Sequence, residues 1–389
     1  MSILQQASKI LDDIIQIRSH IHQHPELSNQ EFNTTKLISN FFRDLDIPHT
    51  VCESGVGVIG YLQTDGAAKT LAIRADMDAL PIIEGTDLTY KSKNNGVMHA
   101  CGHDMHTAVL LGTAKLLLDN RHLLRCNVKF IFQPAEEIMA GAKDMIAAGA
   151  LQSPTVDAII ALHTSPDLTI GEIGIRYGAM LAASDALNIT VKGAGGHAAH
   201  PHKCVDPIVI AGHIITSLQS IISREIPPTD SAVITIGQVM GGEAHNIIPE
   251  TVTMKGTVRT TTPNIRQQMP EVIERVVKNT AHSMRGDVDI EYTFGCPAVI
   301  SDTTLLQLFE QVTTELFEHN AIVHMPVPSM GGEDFAFFLE EVPGFMFRIG
   351  TGSDNPNSRR ALHNHKVEFE NEAIYYGIAS MANFALSYK

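Results

Sequence analysis

Val128-Lys129-Phe130-Ile131-Phe132-Gln133-Pro134-Ala135-Glu136-Glu137 is a short apolar run, interrupted only by Lys129, that ends in a proline and two adjacent acids. A bounded run of this length, rich in aromatic and β-branched residues, reads as a buried strand. Similar runs occupy Val56–Leu62, Thr70–Arg74 and Ala158–Leu162, with helical patterns between them at Thr107–Leu118 and Ala142–Ala150. Upstream, Ile10, Ile14, Ile17 and Ile21 recur at helical spacing until His24-Pro25 stops them, and Asn29–Leu45 repeats the pattern with Asn29 as its expected cap. Strands alternating with helices predict an α/β domain with a largely parallel central sheet flanked by helices.

The middle of the chain changes rhythm. Ala186–Val191, Ala232–Val239, Val252–Val258 and Val288–Thr293 read as strands, and Val205–Ser223 and Asn264–Met284 as helices. That order, βαββαβ, is the ferredoxin-like unit and is long enough to stand alone. After Pro297 the first rhythm returns and closes on a helix through Tyr375–Ser387. The expected organisation is a discontinuous catalytic domain, 1–181 and 296–389, with a smaller domain, 182–295, inserted into it.

Composition narrows the function. The 389 residues carry 28 Lys+Arg against 43 Asp+Glu, a net charge of −15, and no long basic run, which argues against nucleic acid as a partner. No apolar stretch is long enough to cross a membrane, and the N-terminus lacks a basic patch before an apolar core; a cytoplasmic protein is expected. The five cysteines, Cys52, Cys101, Cys126, Cys204 and Cys296, are odd in number and scattered, so they form neither a disulfide framework nor a zinc-finger spacing. No GxGxxG follows a strand with an acid about 20 residues on, which removes a dinucleotide-dependent enzyme.

Four segments concentrate metal-type donors. In Met98-His99-Ala100-Cys101-Gly102-His103-Asp104-Met105-His106, Cys101 and His103 stand two apart and can turn to one side. Thiolate with imidazole suits zinc, cobalt and similar metals, whereas the plainer reading is a packed thiol near a helix start. Glu136 and Glu137 end their strand as a pair that can divide metal binding from proton transfer, or as a solvated acidic turn. Ile159-Ile160-Ala161-Leu162-His163 delivers a histidine at the end of an apolar strand, and Ala361-Leu362-His363-Asn364-His365 offers two more. Either alone is as well explained by an interior histidine. Together they fit better, because ligands of open α/β sheets gather at the carboxyl ends of the strands. Two divalent ions need a bridging ligand and two or three further donors, and Cys101, His103, Glu137, His163 and His363 supply that number, with Glu136 left as a base.

The sequence resembles the metal-dependent aminoacylase and carboxypeptidase family, in the branch of hippurate hydrolases, indole-acetyl-amino acid hydrolases and N-acetyldiaminopimelate deacetylases. The motifs run in family order over nearly the whole chain. They begin with His24-Pro25-Glu26-Leu27-Ser28, Arg74-Ala75-Asp76-Met77-Asp78-Ala79-Leu80-Pro81, His99-Ala100-Cys101-Gly102-His103-Asp104 and Gln133-Pro134-Ala135-Glu136-Glu137. Gly195-Gly196-His197-Ala198-Ala199, Asn246-Ile247-Ile248-Pro249, Gly332-Glu333-Asp334-Phe335 and Leu362-His363 follow. The resemblance implies that Cys101 bridges two divalent ions, Zn or Mn with Co or Ni as alternatives. It places His103 and Glu137 on one ion, His163 and His363 on the other. It makes Glu136 the general base and Asp78 the acid that orients the site. In the inserted domain, which fits the family's lid, it implies that His197 polarises the scissile carbonyl and that Asn246 and Arg259 hold a substrate carboxylate. The expected reaction is hydrolysis of the amide bond in N-acyl amino acids, with a carboxypeptidase or dipeptidase as the alternative and a homodimer as the expected assembly. A non-catalytic metal-binding scaffold would have no need of Glu136.

Overall fold

The computed structural model describes residues 1–317 and 321–389, and the chain divides into two compact units. The first comprises Met1–Met180, Ile300–Val327 and Asp334–Lys389; the second comprises Leu181–Val299 and Pro328–Glu333.

The first unit is built on an eight-stranded sheet. Its order is His49–Val51, Val58–Leu62, Asn127–Gln133, Thr70–Asp76, Ala158–Thr169, Gly344–Gly352, Ile173–Ile175 and Ile322–His324. The four strands from Asn127–Gln133 to Gly344–Gly352 are mutually parallel, which is the largely parallel core expected. Thr70–Asp76 and Asn127–Gln133 are buried along their whole length. Both faces must therefore be covered, which explains why these runs are apolar without alternation.

The helix Ile3–Gln23 starts at Ser2, whose hydroxyl accepts the Gln5 N–H while the Gln5 side chain accepts the Ser2 N–H. Its buried face is Ala7, Ile10, Ile14 and Ile21, but Arg18 and His22 sit on the same face, fully buried. The helix His103–Asp119 is buried on almost every side and packs between the sheet and the helices Ile3–Gln23 and Ala373–Ser387.

The second unit runs Ala183–Lys192, helix Pro207–Arg224, Ala232–Met240, Thr251–Thr260, helix Pro263–Ser283, Asp287–Cys296. Its sheet order is Ala232–Met240, Thr251–Thr260, Ala183–Lys192, Asp287–Cys296, antiparallel throughout. Leu187, Ile189 and Val191 alternate into a core shared with Ile210, Ile214 and Leu218 of one helix and Ile273 and Val277 of the other. This is the βαββαβ topology read from the sequence.

Candidate metal centre

In the first unit, the strand ends and the turns after them bring seven of the expected residues together: Asp78, Cys101, His103, Glu136, Glu137, His163 and His363. Gly102, at φ +87°, turns the chain from Cys101 into the helix that His103 opens. A Cβ on Gly102 would lie 2.7 Å from the Thr164 hydroxyl, so glycine lets this turn press against the strand that carries His163. His103 is fully buried; its Nδ1 lies 3.2 Å from Asp78 Oδ1, and its Nε2 has no hydrogen-bond partner. The other oxygen of Asp78 accepts the Ser28 hydroxyl at 2.7 Å and the Glu137 backbone N–H at 3.0 Å. One carboxylate thus fixes a ring and the loop opposite it.

The two acids sit on a tightly wound loop. Ala135 and Met139 both take positive φ, 55° and 56°. The Ala135 N–H donates to Glu31 at 2.9 Å, the Met139 N–H to the Glu136 carbonyl at 2.7 Å. A Cβ on Gly141 would fall 1.6 Å from the Pro134 carbonyl oxygen, so only glycine closes this turn. Glu136 is buried, and Glu137 Oε1 is buried without a hydrogen-bond partner, 3.5 Å from His363 Nε2 and 3.9 Å from His103 Nε2.

His163 does not end its strand as expected; the strand continues to Thr169. Pairing with Thr70–Asp76 nevertheless stops at Ala161, so His163 stands beyond the paired edge on that side. Its Nδ1 donates to the Thr164 carbonyl at 2.9 Å, and its Nε2 lies 3.5 Å from Cys101 Sγ. His363, at φ +66°, is tied by its N–H to the Ala100 carbonyl. His365 packs instead against Gly85, where an added Cβ would meet its ring at 2.5 Å.

Among the described residues, two donor sets share Cys101. Cys101, His103 and His163 form one, Cys101, Glu137 and His363 the other, each with its donor atoms within 4.8 Å of one another. The resemblance paired His103 with Glu137 and His163 with His363, and His103 and Glu137 also fall together in a set of their own. Glu137 leans nearer to His363 than to His103, while the His103 and His163 rings meet edge to face at 6.0 Å. Glu136 joins His103 and Glu137 in a third set of the same size.

Burial dominates the electrostatics. It pushes the Cys101 thiol well up despite the pull of His103, and lifts the Glu137 carboxyl to about 7 against the same opposition. Burial also works against a charge on His103, but Asp76, Cys101 and Asp78 overcome it and hold that ring well above its ordinary value. His163 is held well below by burial and then by Arg348. A thiol, a carboxyl and imidazoles crowded together with two partnerless donor atoms, His103 Nε2 and Glu137 Oε1, fit cations, which would displace these protons.

Sequence reading missed the supports behind the donors. Arg74 donates to Asp76 at 2.7 Å and to Asp334 at 3.0 Å, and Asp334 also accepts the Gln133 amide and the Ala142 N–H. Arg18 and His22 meet Asp104 at 3.0 and 2.9 Å, and His22 also reaches Glu84. The available signal was charge inside otherwise apolar patterns: Arg74 in a strand, Arg18 and His22 on the helix stripe.

His197, Asn246 and Arg259 belong to the second unit. His197 pairs across a short ladder with Ile247, and the Ala198 N–H donates to the Asn246 carbonyl, so the first two are neighbours. His197 Nδ1 accepts the Ala199 N–H at 3.1 Å. Arg259, near the end of Thr251–Thr260, donates from Nε to Thr257 Oγ1 at 3.1 Å.

Residues 72–387 match the sequence pattern of peptidase family M20/M25/M40. The chain belongs to that family. It is 40% identical over 378 residues to the N-acetylcysteine deacetylase of Bacillus subtilis, covering 96% of each chain. It is 38% identical to the IAA-amino acid hydrolase ILR1-like 2 of Arabidopsis thaliana, over 98% of this chain and 86% of that one. The crystal structure of Bacillus subtilis YxeP, a dinuclear metal binding peptidase of family M20, superposes with a TM-score of 0.87 at 36% identity, covering 97% and 98% of the two chains. This M20 member is a metal-dependent hydrolase of amide bonds.

Proposed function

We propose that this enzyme hydrolyses N-acyl amino acids bearing a free carboxylate. The observation that carries the reading is the pair of donor sets meeting at Cys101, beside Glu136 and around two buried donor atoms without a hydrogen-bond partner among the described residues. In this reading Cys101 would be the ligand common to two divalent ions. His103 and His163 would help hold one, Glu137 and His363 the other, and thiolate with imidazole and carboxylate favours Zn or Mn, then Co or Ni. Divalent cations held there supply Lewis acidity and a water acidified toward neutrality. Glu136 takes the proton of the attacking water and returns it to the leaving amine. Asp78 keeps His103 Nε2 turned to the site by holding its Nδ1.

On the second unit, His197 Nδ1 is an acceptor, so the neutral ring carries its proton on Nε2 and can donate to a developing oxyanion. Arg259 spends Nε on Thr257 and keeps both terminal nitrogens for a bidentate contact with the substrate carboxylate, alongside Asn246. The deacetylase and IAA-amino acid hydrolase relatives support an acylase rather than a peptide-length substrate. A homodimer is part of the reading, supported by exposed Ile208 and Val209 on one helix and Val233, Val239 and Met240 on an edge strand of the second unit. Five free cysteines support a reducing, cytoplasmic setting.

The test is a hydrolysis screen of N-acetyl, N-benzoyl and longer N-acyl amino acids with metal-loaded protein, each run beside its carboxamide. Turnover of the acids is expected, with a clear rise in KM for the carboxamides that Arg259→Ala abolishes by raising KM for the acids alone. Equal kinetics for acid and carboxamide would overturn the carboxylate requirement.

A further inference from the structure

His103 and His106 lie three apart on one helix, ring centroids 5.3 Å apart, both fully buried. They are used in opposite ways. His103 keeps Nε2 without a hydrogen-bond partner among the described residues, whereas both nitrogens of His106 are engaged: Nδ1 with Asp76 Oδ1 at 2.5 Å, Nε2 with the Thr164 backbone N–H at 2.9 Å. A backbone N–H can only donate, so His106 Nε2 is bare. The proton of the neutral ring then sits on Nδ1 and donates to Asp76.

Thr164 is the residue after His163, and everything about it bears on the donors. Its hydroxyl donates to the Cys101 carbonyl at 2.8 Å, its carbonyl accepts His163 Nδ1–H, and the Gly102 turn rests on its side chain. His106 therefore holds the one residue that holds both Cys101 and His163. Asp76, at the other end of the ring, is anchored by Arg74 and by the Thr107 hydroxyl on its carbonyl. Asp76, His103 and His106 also come close enough to be taken for a ligand set, but the lone pair His106 would offer is spent on Thr164.

We propose that His106 is a positioning residue: bridging Asp76 and the Thr164 N–H, it fixes the backbone from which His163 presents Nε2 toward Cys101. This rests on the reading of His163 as a metal ligand. Two variants separate its parts. His106→Phe fills the ring's space without either hydrogen bond, and His106→Gln can still offer one donor and one acceptor. Zn2+ would be titrated into the chelator-stripped full chain against a chromophoric competitor. His106→Phe is expected to weaken the ion that His163 would help hold about ten- to a hundredfold and the other ion clearly less, with His106→Gln restoring part of the loss. A structural role alone would weaken both ions equally and would follow the thermal midpoint of the stripped protein. On the wild-type protein, two-bond 1H–15N correlation of His106, assigned by its disappearance in His106→Gln, is expected to show a protonated Nδ1 and a bare Nε2. Wild-type affinity for both ions in His106→Phe, equal weakening of both, or a protonated Nε2 overturns the proposal. His163→Gln keeps the two readings apart: if it retains both ions, the ligand role of His163 fails, whereas if it loses one while His106→Phe loses none, only the positioning role fails.

Discussion

Glu136 and Glu137 are neighbours in sequence, on a loop wound left-handed at Ala135, and the proposed reading gives them different work. Glu136→Gln keeps the side chain's size and removes its basicity. It should retain bound metal and lower kcat at least about a hundredfold, checked by elemental analysis beside steady-state kinetics; a loss under about tenfold would take the base role from Glu136. Asp78→Ala should act through affinity instead, weakening metal about ten- to a hundredfold in a calorimetric titration, because His103 and the Glu137 N–H lose their common anchor. The side chains that gather here had stood out in the sequence as thiol, imidazole and paired acids at the ends of apolar runs. Their spacing around Cys101 had not, because order along a chain carries no distance. Arg18 was not singled out, and Arg74, Asp76 and Asp104 entered only as members of motifs, for a different reason: charge ordinarily marks the surface, and these four are buried only because each meets an opposite partner.

Helices and strands were read correctly in kind and misread at their ends. Asn29 does not cap the second helix; it sits in a turn at φ +64°, and the helix begins at Phe32. Its exposed N–H groups are met from outside by Glu26, which accepts from the Asn33 and Thr34 backbones at 3.0 and 2.9 Å and from both side chains. That gives the acid of His24-Pro25-Glu26 a structural task, and Glu26→Ala should cost about 1 kcal/mol of stability in urea unfolding with little change in kcat. The helix His103–Asp119 starts four residues before the expected Thr107, because polar residues there hid a start that Gly102 makes possible. Gly141 is the opposite case, one atom deciding an element. Gly141→Ala would drive a methyl into the Pro134 carbonyl, and a loss near about 3 kcal/mol together with reduced bound metal is expected from thermal unfolding and metal analysis.

Across the whole molecule, stability should carry the signature of its buried ion pairs. Burial opposes a charge on His22, but Asp104 and Glu84 overcome it and lift the ring to about 9 from its ordinary 6.5. A base raised on folding stabilises fully below 6.5, and that share is lost as pH climbs through about 9. Melting curves of wild type and His22→Gln should therefore differ most near pH 6 and converge by pH 10; a constant gap would mean that His22 is neutral in the native state. The βαββαβ order was readable from the change of rhythm near Ala186, since alternation with period two needs no tertiary information. The route of the chain has a further consequence, for how this protein is made. All but six residues of the second unit lie in one continuous stretch, Leu181–Val299, whereas the large sheet needs Gly344–Gly352 between Ala158–Thr169 and Ile173–Ile175. On the ribosome the second unit can be all but complete while the first still waits for its centre. Until the last fifty or so residues emerge, Ala158–Thr169 offers an open backbone edge to any other strand. A nascent chain arrested before Gly344 should thus aggregate or recruit chaperones through that edge, even with its second unit already folded.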